Sequence, residues 1–343
     1  MAIPTNAEII SSLPSDQKIA ALLGGSRWEL GTSEPENVQY KFPSQKDQFG
    51  DYSGGGGEKN SFRLEFIPSN SVLADDVRTA LNQWSAVANI VFTEITSGVS
   101  KAISFGKAAS FLEGRTAWAY PPYSDTDPNG DIWLSNYENK QKNIDYDAFW
   151  EAVGAGTYAH WVLLHEIGHA IGLKHPGTTS KVDGFTNTAT LSRTGFVDYV
   201  GNTVMSYLTS ESSSSKSSSE TDTFLPKTGV FYPSSPMLLD IAAAQYLYGP
   251  NWKYNTGNNT YSFSDAAQFY QTIWDAGGTD TITVLVVEPM KKPQLMEIGT
   301  SLEAMQAVVG GMIEEYMPFE DEVAIICNEE GKLDGLPLNR AVY

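Results

Sequence analysis

One short segment constrains this chain more than any other. Residues 165–176 read HEIGHAIGLKHP, and they hold all but one of the 4 histidines in the 343-residue sequence. The remaining one, His160, lies just upstream. Histidines that served only packing would have no reason to gather in one place, so the clustering indicates a metal site.

The spacing of these residues indicates how a metal would be bound. His165 and His169 are at positions i and i+4, so on a helix they project from one face, one turn apart. Glu166 lies beside that row, where its carboxylate can reach a water on the metal without binding the metal itself. Two neutral imidazoles for Zn²⁺ and a carboxylate as general base are the chemistry of the H-E-x-x-H pattern.

The end of the predicted helix supplies a third ligand. Gly172 allows a left-handed backbone that ends the helix, and the turn can bring His175 back towards the other two histidines. Pro176 cannot continue a helix interior. Three protein ligands leave a fourth coordination position open, which is the arrangement of a catalytic zinc site and not of a closed structural one.

The competing interpretation is a buried amphipathic helix whose histidines are satisfied core residues. Two further observations argue against it. The pattern extends to H-E-x-x-H-x-x-G-x-x-H, and the downstream segment 202–207, NTVMSY, has the form of a metzincin Met-turn around Met205. All of these residues would have to coincide by chance.

The charge of the chain excludes one class of partner. A net charge of -19 and a pI near 4.5 argue against a nucleic-acid surface, which needs a basic patch. No apolar run approaches the ~18 residues of a membrane span. The first residues lack a basic stretch followed by an apolar one, so we expect no cleavable signal peptide.

The residue pattern predicts an α+β fold. Helical spacing predicts helices at 7–23, 75–88 and 236–248, and alternating or apolar runs predict strands at 38–43, 62–68, 91–95, 102–105, 117–122 and 131–134. The strand at 117–122 is stopped by prolines, as suits an edge strand. Several strands followed by a long helix that bears the site indicate an α+β domain.

A change in composition near residue 282 predicts a domain boundary. All tryptophans lie at or before Trp274, whereas most methionines and the single cysteine follow Pro289. We therefore expect one domain at 1–282, with a flexible Ser-rich loop region at 210–235, and a small α+β domain at 283–343.

The segment 275–280, DAGGTD, is a tight turn rich in oxygen atoms. Closely spaced carboxylates and exposed carbonyls suit the hard cation Ca²⁺. A simple Gly-Gly turn accounts for the same residues, and the sequence chemistry leaves both interpretations open.

With the site and the Met-turn in hand, residues 7–282 are seen to resemble the serralysin family, bacterial zinc metalloproteases of the metzincin clan. The similar stretches are IAALLGGSRW at 19–28, ALNQWSAVANI at 80–90, LHEIGHAIGLKHP at 164–176 and PMLLDIAAAQYLYG at 236–249. The resemblance implies a metzincin fold, in which a twisted mixed sheet accompanies the active-site helix and the Met-turn. It also implies an extracellular protein that acts on protein or peptide substrates.

The resemblance implies a role for each matching residue. His165, His169 and His175 would bind zinc, and Glu166 would be the general base. Met205 would form a hydrophobic floor beneath the metal. Tyr207 would be a switchable fifth ligand that stabilises the transition state. A substrate would pair by β-augmentation with the edge strand, that is with Ala117, Trp118, Ala119 and Tyr120.

The chain departs from the family after residue 280. Serralysins continue into a calcium-binding roll of G-G-x-G-x-D repeats, of which only about half a repeat remains here. Asp275, Gly277, Gly278 and Asp280 match family calcium positions, so Ca²⁺ is a second candidate cofactor beside Zn²⁺. A type I secretion signal is not seen. Residues 283–343 instead resemble an uncharacterised bacterial and phage domain. The copy in this chain is expected to be shortened, and we interpret it as a chimeric tail.

These patterns favour a zinc-dependent endopeptidase in which Glu166 activates the attacking water. The alternative is a catalytically silent zinc-binding or interaction protein, disabled by loss of the calcium roll. The intact Glu166 and Tyr207 disfavour it, because a site used only for binding has no chemical need of them.

Overall fold

The computed structural model describes residues 7–29, 35–49, 64–96, 102–108, 116–122, 130–136, 146–182, 185–192, 197–209, 230–263, 268–289, 291–316, 325–328 and 330. The chain divides into two compact units. Residues 1–251 and 268–274 belong to the first, and residues 252–267 and 275–343 belong to the second.

Short strands and a few helices make up the described chain. Its strands are β1 (Ala7–Ile9), β2 (Ser26–Trp28), β3 (Glu36–Lys41), β4 (Glu65–Phe66), β5 (Ile90–Glu94), β6 (Ile103–Ala108), β7 (Ala117–Ala119), β8 (Ile132–Ser135), β9 (Ser180–Val182), β10 (Phe185–Asn187), β11 (Tyr232–Pro233), β12 (Thr260–Tyr261), β13 (Phe269–Tyr270), β14 (Thr281–Val286), β15 (Gln294–Gly299), β16 (Ile313–Tyr316) and β17 (Ile325–Asn328). Its helices are α1 (Gln17–Ala20), α2 (Val72–Val87), α3 (Tyr146–Glu151), α4 (Tyr158–Ala170), α5 (Leu238–Tyr248) and α6 (Leu302–Val309), with a 3-10 helix at Lys46–Gln48. Within this described part, no helix has both the length and the apolar character needed to cross a bilayer.

A mixed sheet lies at the centre of the first unit, with the strand order β5-β3-β6-β8-β7. β3 is parallel to β5 and β6, and β6 is parallel to β8. β7 is antiparallel to β8, and β4 pairs antiparallel with β6. The predicted α+β class and the mixed sheet are therefore confirmed, and β7 is the last strand of the sheet in the described chain.

The predicted helices agree with the structure except at the N-terminus. Those at 75–88 and 236–248 are observed as α2 and α5. The predicted helix at 7–23 is wrong over its first half, because residues 7–9 form β1 and pair with β2. The helical part begins only after Asp16, whose side chain accepts a hydrogen bond from Lys18 N at 2.8 Å. Strand pairing here outweighs the local helical spacing.

Helix α4 carries the predicted site and is buried on almost every side. Thr157 caps its first turn, since the Thr157 hydroxyl accepts a hydrogen bond from His160 N at 3.1 Å. Every residue from Tyr158 to Gly168 is buried. A helix that is apolar around its circumference lies inside the core. Its few polar side chains therefore stand in a dry environment.

Tryptophans tie other elements to the backbone of α4. Trp84 of α2 donates from Nε1 to the Leu164 carbonyl at 3.3 Å. Trp28 of β2 donates from Nε1 to the Ala170 carbonyl at 2.9 Å. Because a buried indole N–H needs an acceptor, each of these contacts fixes orientation as well as burying apolar surface.

The C-terminal end of α4 is held by the N-terminal part of the chain. Gly172 has a φ of +108°, and its carbonyl accepts a hydrogen bond from Gly24 N at 2.8 Å. Lys174 N donates to the Leu22 carbonyl at 2.8 Å. The turn that leads to His175 is therefore paired, residue by residue, with a segment some 150 positions earlier in the chain.

His160 lies apart from the other histidines, in a buried polar cluster between α2 and α4. Its Nδ1 is 2.9 Å from an Asp76 carboxylate oxygen, and its Nε2 is 3.1 Å from Gln83 Oε1. The Gln83 amide nitrogen donates to the Ser234 carbonyl at 2.7 Å, which fixes the orientation of that amide. Both partners of the imidazole are therefore acceptors, and His160 joins the two helices rather than binding a metal.

The second unit contains two small sheets and one helix. β14 lies between β12, to which it is parallel, and β15, to which it is antiparallel. β16 pairs with β17, and α6 begins at a Ser301 cap. Residue 282, where composition changes, falls inside β14. The predicted division into domains at that residue stays a prediction.

The Ser-rich region predicted at 210–235 is only partly visible. Residues 210–229 lie outside the described residues. Tyr232 and Pro233 form β11, which pairs in parallel with β13, and Ser234 and Ser235 are buried. The end of this region is therefore packed strand and not loop.

We predict that Gly172→Ala destabilises the first unit more than Gly154→Ala. Both glycines have positive φ, +108° and +137°, where a non-glycine residue costs on the order of 1–3 kcal/mol. A Cβ on Gly172 would also meet the Ser26 carbonyl oxygen at 2.2 Å, whereas a Cβ on Gly154 meets nothing within 4 Å. Urea denaturation of both variants measures the difference, and equal losses would contradict the packing described here.

Candidate metal centre

Three histidines meet at one point. His165 and His169 lie one turn apart on α4, and the turn after Gly172 returns His175 to them, as the spacing predicts. His175 Nε2 is 3.0 Å from His165 Nε2 and 2.9 Å from His169 Nε2. Among the described residues, these three form the one group of histidine, cysteine and acidic side chains with ligand atoms close enough to hold a metal ion.

Backbone carbonyls determine which ring nitrogens face the centre. His165 Nδ1 is 2.8 Å from the Val204 carbonyl, and His169 Nδ1 is 2.9 Å from the Leu173 carbonyl. A carbonyl only accepts, so Nδ1 of each ring carries the proton and Nε2 of each presents a lone pair. Such partners on the outer nitrogen are typical of metal-binding histidines.

The third ring directs its Nε2 at the same point. The Tyr207 hydroxyl lies within hydrogen-bond distance of this nitrogen, at 2.5 Å. The ligand nitrogens of the three histidines all lie within 4.8 Å of one another. Tetrahedral Zn–N bonds of ~2.0–2.1 Å would separate ligand nitrogens by about 3.3 Å, so the residues present fit Zn²⁺.

Burial keeps two of these imidazoles neutral. It lowers the pKa of His165 well below its usual value, and the neighbouring His169 lowers it further. It lowers the pKa of His169 to about 4. Metal binding requires the neutral imidazole, so at neutral pH neither ring has to lose a proton to become a ligand.

Glu166 occupies the position next to the ligand row. It is 6 % exposed, although glutamate is among the residues least often buried. Its carboxylate is therefore largely shielded from bulk water. This is the environment that a general base needs.

Tyr207 lies against the histidine rings. Its ring lies 5.2 Å from the His165 ring, centroid to centroid, at an interplanar angle of 21°. The residue is 36 % exposed. Tyr207 is therefore in contact both with the histidines and with solvent.

Met205 is fully buried against α4. A Cβ added to Gly168 would meet Met205 Sδ at 2.6 Å, so the helix approaches this sulfur closely only because residue 168 has no side chain. Met205 is thus packed against α4 at Gly168, the residue before His169. The chain around it is the predicted turn.

Lys174 is a residue that the sequence analysis missed. Its buried ammonium donates to the carbonyls of Ala21 at 2.5 Å, Thr178 at 2.6 Å and Ala189 at 3.0 Å. Burial lowers its pKa to about 8. These bonds hold the loop that carries His175 to two other segments. No local pattern marks such a role, because the acceptors are distant backbone atoms.

The predicted substrate strand is half-buried. Ala117, Trp118 and Ala119 form β7, and Tyr120 N donates to the Asp131 carbonyl at 3.0 Å. β7 belongs to the same unit as the histidines and stands last in its sheet within the described chain. It has the position that strand addition requires.

The predicted calcium residues lie in the second unit, apart from the histidines in sequence. Asp280 accepts a hydrogen bond from Asn259 N at 2.8 Å, and Asp275 accepts one from Gly277 N at 3.0 Å and one from the Tyr261 hydroxyl. Gly278 packs so closely that a Cβ there would meet the Gly257 carbonyl oxygen at 2.1 Å. The turn 275–280 is thus closed against residues 257–261.

Comparisons with known proteins show what the chain is similar to. A family model described as Matrixin matches residues 65–183, and one described as Domain of unknown function (DUF3846) matches residues 282–343. Metallopeptidase AprA of Pseudomonas marginalis is 34% identical over 218 residues, which are 59% of this chain and 42% of that protein. Metalloprotease AprA of Pseudomonas entomophila (strain L48) is 32% identical over 249 residues, 69% of this chain and 47% of that protein.

A third relative is Serralysin of Proteus mirabilis, 30% identical over 281 residues, which are 72% of this chain and 49% of that protein. The chain thus spans less than half the length of these relatives. The predicted resemblance of residues 7–282 to serralysins, and that of the tail to a domain of unknown function, are confirmed.

We predict that the zinc-free protein loses stability as the pH falls from about 6.5 towards 4. The folded state holds His169 with a pKa of about 4, against 6.5 as the ordinary value, so the unfolded chain binds more protons in this interval. Asp240, whose pKa burial raises to about 7, acts in the opposite direction. Comparison with His169→Gln isolates the histidine, because Asp240 is present in both proteins.

Urea denaturation of chelator-treated protein at pH 7 and pH 5 makes the measurement. Wild type should lose more of its unfolding free energy between these pH values than His169→Gln does. An equal loss in the two proteins would show that His169 is not held neutral by the fold.

Proposed function

We propose that this chain, which over residues 7–282 is related to the serralysin family of metzincins, is a zinc-dependent endopeptidase that hydrolyses peptide bonds in proteins. The observation that carries the proposal is the convergence of three histidine nitrogens: Nε2 of His175 lies 3.0 Å from Nε2 of His165 and 2.9 Å from Nε2 of His169. A zinc ion would take one nitrogen from each ring, and three protein ligands leave a position for chemistry.

Each residue of the centre has a distinct task in this proposal. His165, His169 and His175 would hold Zn²⁺, which would supply Lewis acidity for a carbonyl and lower the pKa of water. Glu166 accepts the proton of the attacking water and then delivers it to the leaving amine. Tyr207 turns its hydroxyl from His175 to the oxyanion as that charge develops. Met205 supports the centre from below.

The substrate is proposed to lie along β7 as an added antiparallel or parallel strand. Ala117, Trp118, Ala119 and Tyr120 would contribute main-chain hydrogen bonds, which accept any sequence. Broad specificity follows, because few side chains of the substrate need to be recognised. An extended segment within a protein fits such an edge, which favours endopeptidase activity.

The alternative is a silent zinc-binding protein. It predicts the same zinc content but no use for Glu166 or Tyr207. The buried Glu166 and the position of Tyr207 across the centre favour catalysis, because a carboxylate held in a dry environment costs stability without a task. The relatives named as metallopeptidases and metalloproteases support the same choice.

Ca²⁺ is proposed as a structural cofactor of the second unit. Asp275 and Asp280 would supply carboxylate oxygens, and Gly277 and Gly278 backbone carbonyls, at the closed turn 275–280. Asn259 Oδ1 is buried there without a hydrogen-bond partner in the described chain, so the turn holds an oxygen atom that a hard cation would satisfy. Export from the cell is proposed from the resemblance alone.

We predict that Glu166→Gln lowers kcat for casein cleavage by about 10²–10⁴-fold while zinc content stays stoichiometric. Glutamine has the shape of glutamate but cannot accept the proton. Tyr207→Phe should lower kcat less, by about 10²-fold, with little change in KM. Metal analysis and casein kinetics are measured on the same samples. Unchanged cleavage in Glu166→Gln would reject the endopeptidase mechanism, and stoichiometric zinc without cleavage in wild type would favour the silent alternative.

We predict that Ca²⁺ raises the Tm of wild type and that Asp280→Asn removes this rise. Binding to the folded state alone stabilises it by RT ln(1 + [L]/Kd), so the shift grows with calcium concentration. Asparagine can still accept the hydrogen bond from Asn259 N but lacks the charge. Glu288→Gln, which alters an exposed ion pair with Lys291 in the same unit, is the matched control and should keep the rise. A wild-type Tm that does not change when Ca²⁺ is added would refute the proposed cofactor.

A further inference from the structure

Asp240 is a buried carboxylate that the proposed chemistry does not use. It lies in the first turn of α5 and is fully buried. It accepts hydrogen bonds from Val204 N at 2.7 Å and Met237 N at 2.8 Å. None of the ion pairs within the described residues includes it. Burying a carboxylate that lacks a cationic partner costs free energy, and hydrogen-bond donors have to offset that cost.

The third donor to Asp240 belongs to the Met-turn. The Thr203 hydroxyl donates to Asp240 Oδ1 at 2.5 Å. The same hydroxyl oxygen accepts a hydrogen bond from Met205 N at 3.1 Å. Thr203 is fully buried, so water does not compete for its hydroxyl. The hydroxyl thus links the Asp240 carboxylate to the Met205 amide and fixes their relative orientation.

That amide shares a peptide group with the Val204 carbonyl. The carbonyl accepts from His165 Nδ1 at 2.8 Å and from Trp161 Nε1 at 3.0 Å. A continuous chain of hydrogen bonds therefore runs from the Asp240 carboxylate, through the Thr203 hydroxyl and one peptide group, to the ring of His165. Each bond in such a chain polarises the next.

We propose that Asp240 and Thr203 are positioning residues, which orient His165 and raise the basicity of its Nε2 through the Val204–Met205 peptide group. Carboxylates that bond directly to metal-binding histidines have this effect, and losing such a partner costs about 10–100-fold in metal affinity or activity. Here the carboxylate acts at a distance, through a hydroxyl and a peptide. The inference rests on the proposed function, in which His165 binds zinc.

His169 provides an internal comparison. Its Nδ1 donates to the Leu173 carbonyl, and the amide of that same peptide group, Lys174 N, donates to the Leu22 carbonyl. The chain behind His169 therefore ends on a neutral carbonyl, whereas the chain behind His165 ends on a carboxylate. The two rings on one helix face should differ in the polarisation of their Nδ1–H bonds.

The test compares Thr203→Val, which keeps the shape of threonine but loses the hydroxyl, with Thr203→Ser, which keeps the hydroxyl. Zinc affinity is measured by competition with a chelator, and the imidazole N–H protons of the zinc-loaded proteins are measured by NMR. We expect Thr203→Val to weaken zinc binding by about 10-fold and to move the His165 Nδ1–H resonance upfield. Thr203→Ser should restore both, and the His169 resonance should stay in place.

Asp240→Asn is the second variant, and it carries the same test if Thr203→Val does not fold. Its matched control is Asp76→Asn, which alters another buried carboxylate, the partner of His160, and should change stability without changing zinc affinity.

The outcomes separate this inference from the proposed function. The inference would be overturned if Thr203→Val kept the zinc affinity of wild type and its His165 resonance did not move. The same results for Asp240→Asn would overturn it where that variant replaces Thr203→Val. Either outcome would leave the proposed function intact. Equal zinc weakening in Asp76→Asn would overturn the inference too, by showing a general effect of stability. A wild-type protein that binds no zinc would refute the proposed function, and the inference with it.

Discussion

The convergence of three imidazole nitrogens on one point is the arrangement that the rest of the first unit has to maintain. His175 Nε2 lies about 3 Å from Nε2 of His165 and from Nε2 of His169, and the rings keep these positions only if the surrounding chain holds them. Each must be held from behind. The Val204 and Leu173 carbonyls do this for two of the rings by fixing Nδ1 as the donor.

The rigidity of those carbonyls comes from segments far away in sequence. The Leu173 turn is paired with residues 22–24, and the ammonium of Lys174 adds three more carbonyl contacts. The Val204 turn is braced by Asp240. The N-terminal segment and α5 therefore fix the turns at Leu173 and Val204, as α2 fixes the helix α4. A site with so little tolerance for displacement needs support from every side of the core.

Much of the site could be predicted from the sequence, because its residues are close together in sequence. The i, i+4 spacing of His165 and His169 and the freedom of Gly172 are properties of a single helix and its end. The strand at residues 7–9 was missed because its partner, β2, follows only after α1, and the pairing with β2 outweighs the local helical spacing. Lys174 and Asp240 were missed because many of their partners are backbone atoms, such as the carbonyls of Ala21 and Ala189 and the amide of Val204, from segments distant in sequence. Such atoms carry no residue type by which a pattern could reveal them.

β14 crosses residue 282, where the match to the domain of unknown function begins, and it pairs with β12 on one side and β15 on the other. Main-chain hydrogen bonds do not depend on side-chain identity. A junction placed inside a strand can therefore be spliced without a linker, provided that the incoming sequence begins as a strand. The pairing of β12, β14 and β15 would therefore survive a change of side chains around residue 282, as long as the segment stays extended.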